Sequence, residues 1–301
     1  MFSKQTPCYR LLLAFLFFGF VASGETWHYG HEDTWPKMCK EGKRQSPISI
    51  DRRKSARKNF SPFIFKNYNK IYSTMLKNNG HSAEVRLKTD EVLTVEGGGL
   101  QEVYILDHLH FHWQSEHVID GYRYPLELHL VHYGKSYGNL SNAVGNEKGV
   151  AVFSVLFDLS PDDDVEFTGF IALIDKLKET LDKGERLEDF HIHDYLPRDT
   201  AGFYRYLGSL TTPNCTEGIV WTIFTNTIPI SESQVKIFHS LKTEEHKELT
   251  KNYRPLQKLN GRKVYLKVSP IHKSSRASSL LNAINRDMFL LISILTVSLL
   301  Y

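Results

Sequence analysis

The chain has 301 residues, 41% of them hydrophobic and 24% charged, which is enough for one large or two small folded domains. Its 37 basic and 34 acidic residues nearly balance, so the strong positive charge of a typical nucleic-acid-binding protein is excluded. One basic run, residues 51–58, is predicted to form a solvated turn. No linker, repeat or low-complexity stretch interrupts residues 25–272, so a single domain is predicted there.

Both ends of the chain have the composition of processing segments. Residues 1–24 combine a basic start, an apolar core and small residues after it, which is typical of a secretory signal peptide. Residues 288–301 are uncharged and mostly apolar, but shorter than the roughly 20 residues that a membrane-spanning helix needs. Because small residues and a spacer precede them, residues 273–301 are predicted to be a linker and a GPI-attachment signal. A single-pass anchor and a buried terminal helix are the alternatives.

The domain between these ends is predicted to be rich in strands. Period-2 alternation and β-branched apolar runs predict strands at residues 82–87, 92–95, 104–113, 126–133, 150–159, 219–224 and 264–268. Helical spacing of apolar residues predicts short helices at residues 170–181 and 231–241, the second with a capped start at Ser231. The expected fold class is therefore mainly β (α+β), with a central, mostly antiparallel sheet flanked by short helices.

Two cysteines remain after the predicted signal peptide, Cys39 and Cys215, since Cys8 lies within it. A pair of cysteines in an exported chain most simply forms one disulfide. Neither belongs to a C-x-x-C pair, which disfavours a zinc role for them. In an exported protein, N-x-S/T sequons are candidate glycosylation sites, here at Asn59, Asn139 and Asn214.

A pair of histidines two residues apart, His110 and His112, carries the strongest chemical signal. On a β-strand, residues i and i+2 lie on the same face about 7 Å apart, so two imidazoles can close on one metal ion. A third histidine, His129, lies on the next predicted strand. Three neutral imidazoles around Zn²⁺ leave the fourth tetrahedral position open for water, as in catalytic zinc sites. The alternative is a set of core histidines satisfied by hydrogen bonds.

From Trp27 to about Val268 the chain resembles an α-class carbonic anhydrase of the exported type. The resemblance rests on segments in one order: QSPI at 45–48, NNGH at 78–81, HFHW at 110–113, SEH at 115–117, ELHLVH at 127–132, GSLTTP at 208–213 and NYRP at 252–255. It implies a twisted sheet whose centre floors a conical cleft with zinc at its base. The implied activity is zinc-dependent, reversible hydration of CO₂ to bicarbonate and a proton. The alternative is a catalytically silent binding module of the same family.

The resemblance assigns the reacting groups. His110, His112 and His129 match the zinc ligands, and a zinc ion held by neutral ligands lowers the pKa of its bound water to about 7. The resulting hydroxide attacks CO₂, and by resemblance Thr211 and Glu116 orient it. An esterase activity of the same hydroxide is the expected side reaction.

Further positions match groups around the reaction. His81 matches a proton shuttle, a task that needs a pKa near the working pH. Tyr29 and Asn79 match residues that order the intervening waters, and Thr212 matches a contact to substrate or bicarbonate. The apolar pocket for CO₂ is matched by Val131, Val152, Leu210 and Trp221.

Supporting positions complete the expected site. Glu127 shares a strand face with His129 and is predicted to hold that imidazole. His108 stands where many members carry a glutamine, and it is predicted to hydrogen bond the ring of His110 in one tautomer. Cys39 and Cys215 match the disulfide of exported members. The implied setting is the outer face of the plasma membrane or the extracellular fluid. CO₂ and bicarbonate are the substrates there, a membrane contact runs through the C-terminal anchor, and bicarbonate transporters are partners.

Overall fold

Strands dominate the computed structural model, which describes residues 27–181 and 183–270. The strands of this described part are β1 (Ser49–Ile50), β2 (Ala56–Arg57), β3 (Phe63–Lys66), β4 (Ile71–Asn78), β5 (Ala83–Leu87), β6 (Thr94–Gly97), β7 (Tyr104–Trp113), β8 (Val118–Ile119), β9 (Tyr122–Arg123), β10 (Leu126–Gly134), β11 (Val150–Ser160), β12 (Gly184–His191), β13 (Phe203–Ser209), β14 (Glu217–Phe224), β15 (Ile228–Ser231) and β16 (Tyr265–Lys267). The helices are α1 (Lys37–Glu41), α2 (Leu140–Ala143), α3 (Val165–Leu177) and α4 (Glu232–His239), with 3₁₀ turns at Lys135–Tyr137 and Ile192–Tyr195.

One large mixed sheet of 13 strands forms the body of the domain, in the order β12-β4-β5-β7-β10-β11-β14-β13-β16-β2 with β3, β6 and β15 attached at the side. The pairs β11–β14, β11–β15 and β16–β2 are parallel. The remaining pairs of this sheet are antiparallel, so the predicted single-domain, mostly antiparallel architecture is confirmed. A small sheet, β1-β8-β9, lies beside it.

The two faces of β7 lie in different environments, and successive side chains along the strand alternate between them. Leu109 and Phe111 are fully buried on one face. The Phe111 ring lies 5.1 Å from that of Phe170 on α3 and 5.3 Å from that of Phe238 on α4. His110 and His112 therefore lie on the opposite face, away from the helix-covered core. The short helices cover one side of the sheet centre and leave the histidine side to build a site.

Both predicted helices exist, but one is displaced. Helix α3 begins at Val165 and ends at Leu177, several residues before the predicted 170–181. The side chain of Asp164 caps it by accepting from the backbone N–H groups of Glu166 and Phe167, a start signal that fixes the first turn. Helix α4 follows the predicted capped start, since Ser231 forms a reciprocal capping box with Gln234.

Strand predictions hold best in the sheet centre. Strand β7 has the predicted bounds, whereas the strand predicted at residues 92–95 lies at Thr94–Gly97. Strand β12 was not predicted, because its eight residues GERLEDFH are mostly exposed, half of them are charged, and they show no apolar alternation. Charged side chains on such an edge strand oppose pairing with another chain.

The predicted processing segments, residues 1–24 and 273–301, lie outside the described residues. Within residues 27–181 and 183–270, no helix is both long enough and apolar enough to cross a membrane. The basic run at 51–58 forms turns followed by β2, and it is exposed at most positions, in agreement with the predicted solvated turn.

Candidate metal centre

Strand register brings the predicted histidine trio together. His129 on β10 pairs directly with His110 on β7, and His112 follows two residues along the same face. The ring centroids lie 5.1 Å apart for His110 and His112, 5.1 Å for His110 and His129, and 4.5 Å for His112 and His129. One nitrogen from each ring lies within 4.8 Å of the other two, so the three can hold a single metal ion.

Each ring has one inner nitrogen, which faces the place where the three rings converge (the metal point), and one outer nitrogen, which faces the surrounding protein. Nε2 of His110 lies 3.3 Å from Nδ1 of His129. The outer nitrogen of His112, Nδ1, hydrogen bonds the carbonyl of Asn252 at 2.6 Å. The outer nitrogen of His129, Nε2, lies 2.7 Å from Oε1 of Glu127. A hydrogen-bond partner on the outer nitrogen fixes the tautomer and the direction of the ring. Histidines that bind a metal are usually oriented in this way.

Two ring nitrogens of this trio are buried and make no hydrogen bond in the described structure, Nε2 of His112 on the inner side and Nδ1 of His110 on the outer side. A buried polar atom without a hydrogen bond is costly, and metal coordination would satisfy the inner one. Burial also lowers the pKa of His110 well below its usual value, that of His112 to about 4, and that of His129. Imidazoles kept neutral in this way are ready to coordinate, since a ligating nitrogen must not carry a proton. The donor set therefore fits Zn²⁺.

The predicted hydrogen bond from His108 to His110 is not made. Nδ1 of His108 lies 2.7 Å from a carboxylate oxygen of Asp107 instead, and Nδ1 of His110 has no hydrogen-bond partner among the described residues. The His108 ring lies 5.2 Å from the His110 ring and nearly parallel to it. The carboxylate of Asp107 therefore holds Nδ1 of His108 in a charge-assisted hydrogen bond, and the two histidine rings stack instead of hydrogen bonding.

Glu127 has the predicted position beside His129 but also a partner that was not predicted. Its Oε1 lies 2.7 Å from Nδ1 of His117 and accepts from the hydroxyl of Ser154 at 2.7 Å, and its Oε2 accepts from the backbone N–H of His117. Burial alone would raise the pKa of this carboxyl, but His117 and His129 hold it well below its usual range. The buried carboxylate is therefore a fixed anchor for the His129 ring.

The anchor continues away from the metal point through a chain of buried groups. Nε2 of His117 lies 2.7 Å from the hydroxyl of Tyr206, which donates to Oγ of Ser46 at 2.8 Å. Gly208 makes this approach feasible, since a Cβ there would lie 2.1 Å from Oγ of Ser46. Ser46, His117 and Gly208 lie in segments noted in the sequence, whereas Tyr206 does not, and only packing shows that these residues join.

Glu116 and Thr211 are both buried, and Glu116 lies close to the histidine trio. Oε2 of Glu116 lies 3.6 Å from Nε2 of His112, and its Oε1 accepts from the backbone N–H of Arg254 at 2.9 Å. Burial raises the pKa of the Glu116 carboxyl, while His129 and the Thr211 hydroxyl are among the groups that lower it. Oε2 makes no hydrogen bond within the described structure, so it is available as an acceptor.

Arg254 was not predicted to have a role, although it lies in a motif of the resemblance. Its guanidinium donates to the side chain of Gln45 and to the carbonyls of Ser46 and Cys39, all at 2.6–2.9 Å. The side chain is buried and thus ties the amino-terminal segment to the backbone that contacts Glu116.

Comparison with known proteins agrees with this geometry. The family model for eukaryotic-type carbonic anhydrase matches residues 24–268. This chain belongs to that family. Carbonic anhydrase 15 of Mus musculus is 33% identical over 286 residues, which cover 84% of this chain and 87% of the relative. Carbonic anhydrase 4 of Oryctolagus cuniculus is 33% identical over 284 residues, covering 85% and 90%. Carbonic anhydrase 6 of Bos taurus is 36% identical over 200 residues, covering 63% and 61%.

The residues predicted to form the apolar pocket lie in one cluster. Val131, Val152 and Trp221 are at least 96% buried, and Leu210 packs against the same cluster while partly exposed. The Trp221 ring lies 4.8 Å from the His129 ring, so the cluster borders the metal point. Thr212, also partly exposed, lies in the next turn, where its carbonyl accepts from the N–H of Cys215.

His81, the predicted proton shuttle, lies in a turn among aromatic residues. Its ring stacks on Trp27 at 3.8 Å and meets Tyr29 edge-on at 6.5 Å. Burial raises the pKa of Tyr29, and the negative charge of Glu116 raises it further. The Asn79 side chain accepts from the backbone N–H groups of His81 and Ser82 and donates to Glu84. The amide of Asn79 thus shapes the turn that presents His81.

The predicted disulfide between Cys39 and Cys215 is confirmed, with the Cα atoms 5.1 Å apart. It joins helix α1 to the turn that follows Thr211, and both cysteines pack with Trp35. The three sequon asparagines, Asn59, Asn139 and Asn214, are all exposed. Exposure is necessary for glycosylation, and glycan attachment stays a prediction.

Proposed function

We propose that this chain catalyses the zinc-dependent, reversible hydration of CO₂ to bicarbonate and a proton. The observation that carries the proposal is the convergence of nitrogens from His110, His112 and His129 on one point. Those imidazoles are kept neutral by burial, and Glu127 and Asn252 fix the outer nitrogens of two of them. Three such donors leave one position of a tetrahedral zinc open to solvent.

When bound there, zinc would lower the pKa of a coordinated water to near 7 and so supply a nucleophile at neutral pH. The chain's own residues orient that nucleophile. One oxygen of Glu116 accepts a hydrogen bond from the backbone N–H of Arg254, so the other oxygen is free to accept a hydrogen bond from the hydroxyl of Thr211. A hydroxyl has one hydrogen to donate, so a Thr211 hydroxyl that donates to Glu116 can only accept a hydrogen bond from the solvent nucleophile. That hydrogen bond directs the reacting lone pair of the nucleophile toward the substrate.

CO₂ is apolar, and the cluster of Val131, Val152, Leu210 and Trp221 offers it an apolar wall beside the metal point. These side chains present no charge or strong donor to the substrate and limit the water next to it. Thr212, on the following turn, provides polar groups at the edge of this wall for the bicarbonate product.

Turnover also requires a proton to leave the site. Histidine is the side chain that most readily exchanges a proton near neutral pH, and His81 is only partly buried, so it can accept a proton through water and pass it on. Tyr29 and Asn79 lie beside it and are proposed to order the waters between His81 and the metal point.

We further propose that the enzyme works outside the cell. The disulfide between Cys39 and Cys215 supports an exported chain, because such bonds persist in oxidising compartments. Attachment by a GPI anchor at the C-terminus is the preferred form, and bicarbonate transporters in the same membrane are the proposed partners. Release of the protein from intact cells by a phosphatidylinositol-specific phospholipase tests this, and a protein that stays attached would favour a peptide anchor.

The activity is tested by zinc analysis and stopped-flow CO₂ hydration of the same preparation. One zinc per chain and rapid hydration are expected, and replacing any one of His110, His112 or His129 with Ala should abolish hydration. Zinc without hydration would instead support a catalytically silent binding module. Hydrolysis of an activated ester measures the expected side activity of the same site.

A further inference from the structure

A second concave site lies outside the metal centre. It is a surface groove of about 1420 Å³, larger than the roughly 300–1,000 Å³ of most small-ligand pockets. Its walls come from the basic run around β2, the start of α3, the 3₁₀ turn at Ile192–Tyr195 with the loop after it, the approach to β15, and the end of β16. None of the residues assigned to the metal centre or its apolar wall lines this groove.

The positive charge of the groove comes entirely from arginine. Arg52, Arg53, Arg57 and Arg198 line it, and no lysine does. Arg52 is engaged, since its Nε donates to the hydroxyl of Tyr204 at 3.1 Å. The guanidinium groups of Arg53, Arg57 and Arg198 have no hydrogen bond or ion pair to any described residue. Three arginines with unpaired guanidinium groups, from the basic run and from the loop after residue 195, therefore line one concave surface.

The same groove also carries acceptors. Glu166 and Asp194 line it, and their carboxylates have no ion-pair partner among the described residues. Asp164 lines it too, but its side chain is used to cap α3. Oppositely charged groups that share a groove without pairing with each other are free to bind a ligand that carries both kinds of complementary group. Leu196, Ile228 and Pro229 add apolar surface between them.

We propose that this groove binds a phosphate ester that also carries an ammonium or hydroxyl group. The planar guanidinium fork matches phosphate oxygens with paired hydrogen bonds, which explains an all-arginine lining better than a general need for positive charge. The carboxylates of Glu166 and Asp194 would receive the ammonium or hydroxyl end. This assignment does not depend on the proposed CO₂ chemistry.

Two sources could supply such a phosphate ester, a soluble metabolite or a phospholipid headgroup. Leu266, Val268 and Ser269 form part of the groove wall, so the described domain ends beside it. The chain that follows Pro270 contains the apolar segment at residues 288–301. If that segment is attached to a membrane, the groove lies on the end of the domain from which the attachment runs.

The test compares the full chain with a variant that carries Arg53→Gln, Arg57→Gln and Arg198→Gln. A matched control removes three exposed lysines outside the groove, Lys43→Gln, Lys66→Gln and Lys88→Gln. Calorimetric titration with O-phosphoethanolamine probes the soluble source. Co-sedimentation with phosphatidylethanolamine vesicles, against phosphatidylcholine vesicles with shielded ammonium groups, probes the lipid source. Circular dichroism and thermal melting verify that each variant is folded. If the triple arginine variant does not fold, the single variant Arg198→Gln replaces it.

Loss of the arginines should weaken binding of at least one probe by about ten-fold or more, while the lysine control stays within about two-fold of wild type. Weakened O-phosphoethanolamine binding identifies a soluble ligand, and weakened vesicle binding alone identifies a lipid headgroup. Equal binding by all three proteins would overturn the proposal. So would equal weakening in the arginine and lysine variants, since that result means attraction to net charge only.

Discussion

Oε1 of Glu127 lies 2.7 Å from Nε2 of His129, so a carboxylate two residues before a candidate metal ligand fixes that ligand's ring. The same oxygen lies 2.7 Å from His117, and the carboxyl is fully buried. The direction of the His129 ring is therefore set by a network on the side away from the metal point, and the network can be tested without altering any of the three histidines.

Replacing Glu127 with Gln should weaken zinc binding by roughly 10- to 100-fold, because an amide is a poorer acceptor and would disturb both histidine contacts. Zinc affinity measured by competition with a chelator checks this. Glu91→Gln is the matched control, since Glu91 pairs with Lys70 on the surface. Unchanged zinc affinity in Glu127→Gln would contradict the anchoring role.

Thr211→Val should reduce kcat/KM for CO₂ hydration by roughly 10²–10³-fold and leave zinc content at one per chain. The valine keeps the shape but removes the hydroxyl that joins Glu116 to the nucleophile. Thr211→Ser retains that hydroxyl and should keep most of the activity. Stopped-flow rates with metal analysis of the same samples decide, and a fully active valine variant would rule out the orienting role.

His81→Ala should lower kcat by roughly 10- to 100-fold while kcat/KM stays close to wild type, because proton release follows the chemical step. Imidazole buffer should restore much of the rate. His28→Ala serves as the control, since His28 lies near Glu245, 3.7 Å away, and is not assigned to the reaction. A rate that imidazole does not restore would argue that the substitution damages the fold of the turn instead.

Removing the disulfide by Cys39→Ser with Cys215→Ser should cost up to about 5 kcal/mol of unfolding free energy, the chain-entropy value for a loop of this length. The bond spans 176 residues and lies next to the turn after Thr211, so hydration should also fall. Urea unfolding followed by fluorescence gives the stability. A stability loss without any loss of activity would show that the turn holds its shape unaided.

His132 provides a pH dependence that is separate from the metal point. Burial lowers its pKa from 6.5 to about 3, and its ring contacts the Tyr68 hydroxyl at 2.5 Å. The unfolded chain therefore binds a proton that the folded chain excludes between about pH 6.5 and pH 3. Its contribution to stability is complete above pH 6.5 and is lost as the pH falls, by about 1.4 kcal/mol per pH unit.

In His132→Gln this part of the acid destabilisation should disappear, which flattens the plot of unfolding free energy against pH between 6.5 and 4.5. The exposed His191→Gln should keep the wild-type slope. Urea titrations at several pH values provide the comparison, and parallel slopes for His132→Gln and wild type would contradict the assignment.

Local rules were enough for the parts of this protein that depend on neighbours in sequence. The period of two in a strand placed His110 and His112 on one face, and the same rule placed Glu127 beside His129. Strand β7 could be bounded from its apolar alternation, whereas the charged edge strand β12 shows none and went unpredicted. The Cys39–Cys215 bond followed from the cysteine count and the family resemblance.

Tertiary packing alone decided which atoms meet. Asn252 reaches His112 across 140 positions of sequence, and Arg254 reaches Glu116 across 138, so no local pattern contains either contact. His108 hydrogen bonds Asp107, and its ring stacks on that of His110 instead of hydrogen bonding it. The residue types and their strand faces are set by short-range sterics and alternation. The tautomers of the histidines, the contacts of Glu127 with its histidines and the hydrogen bonds of Arg254 depend on which distant segments pack against each other in the folded core.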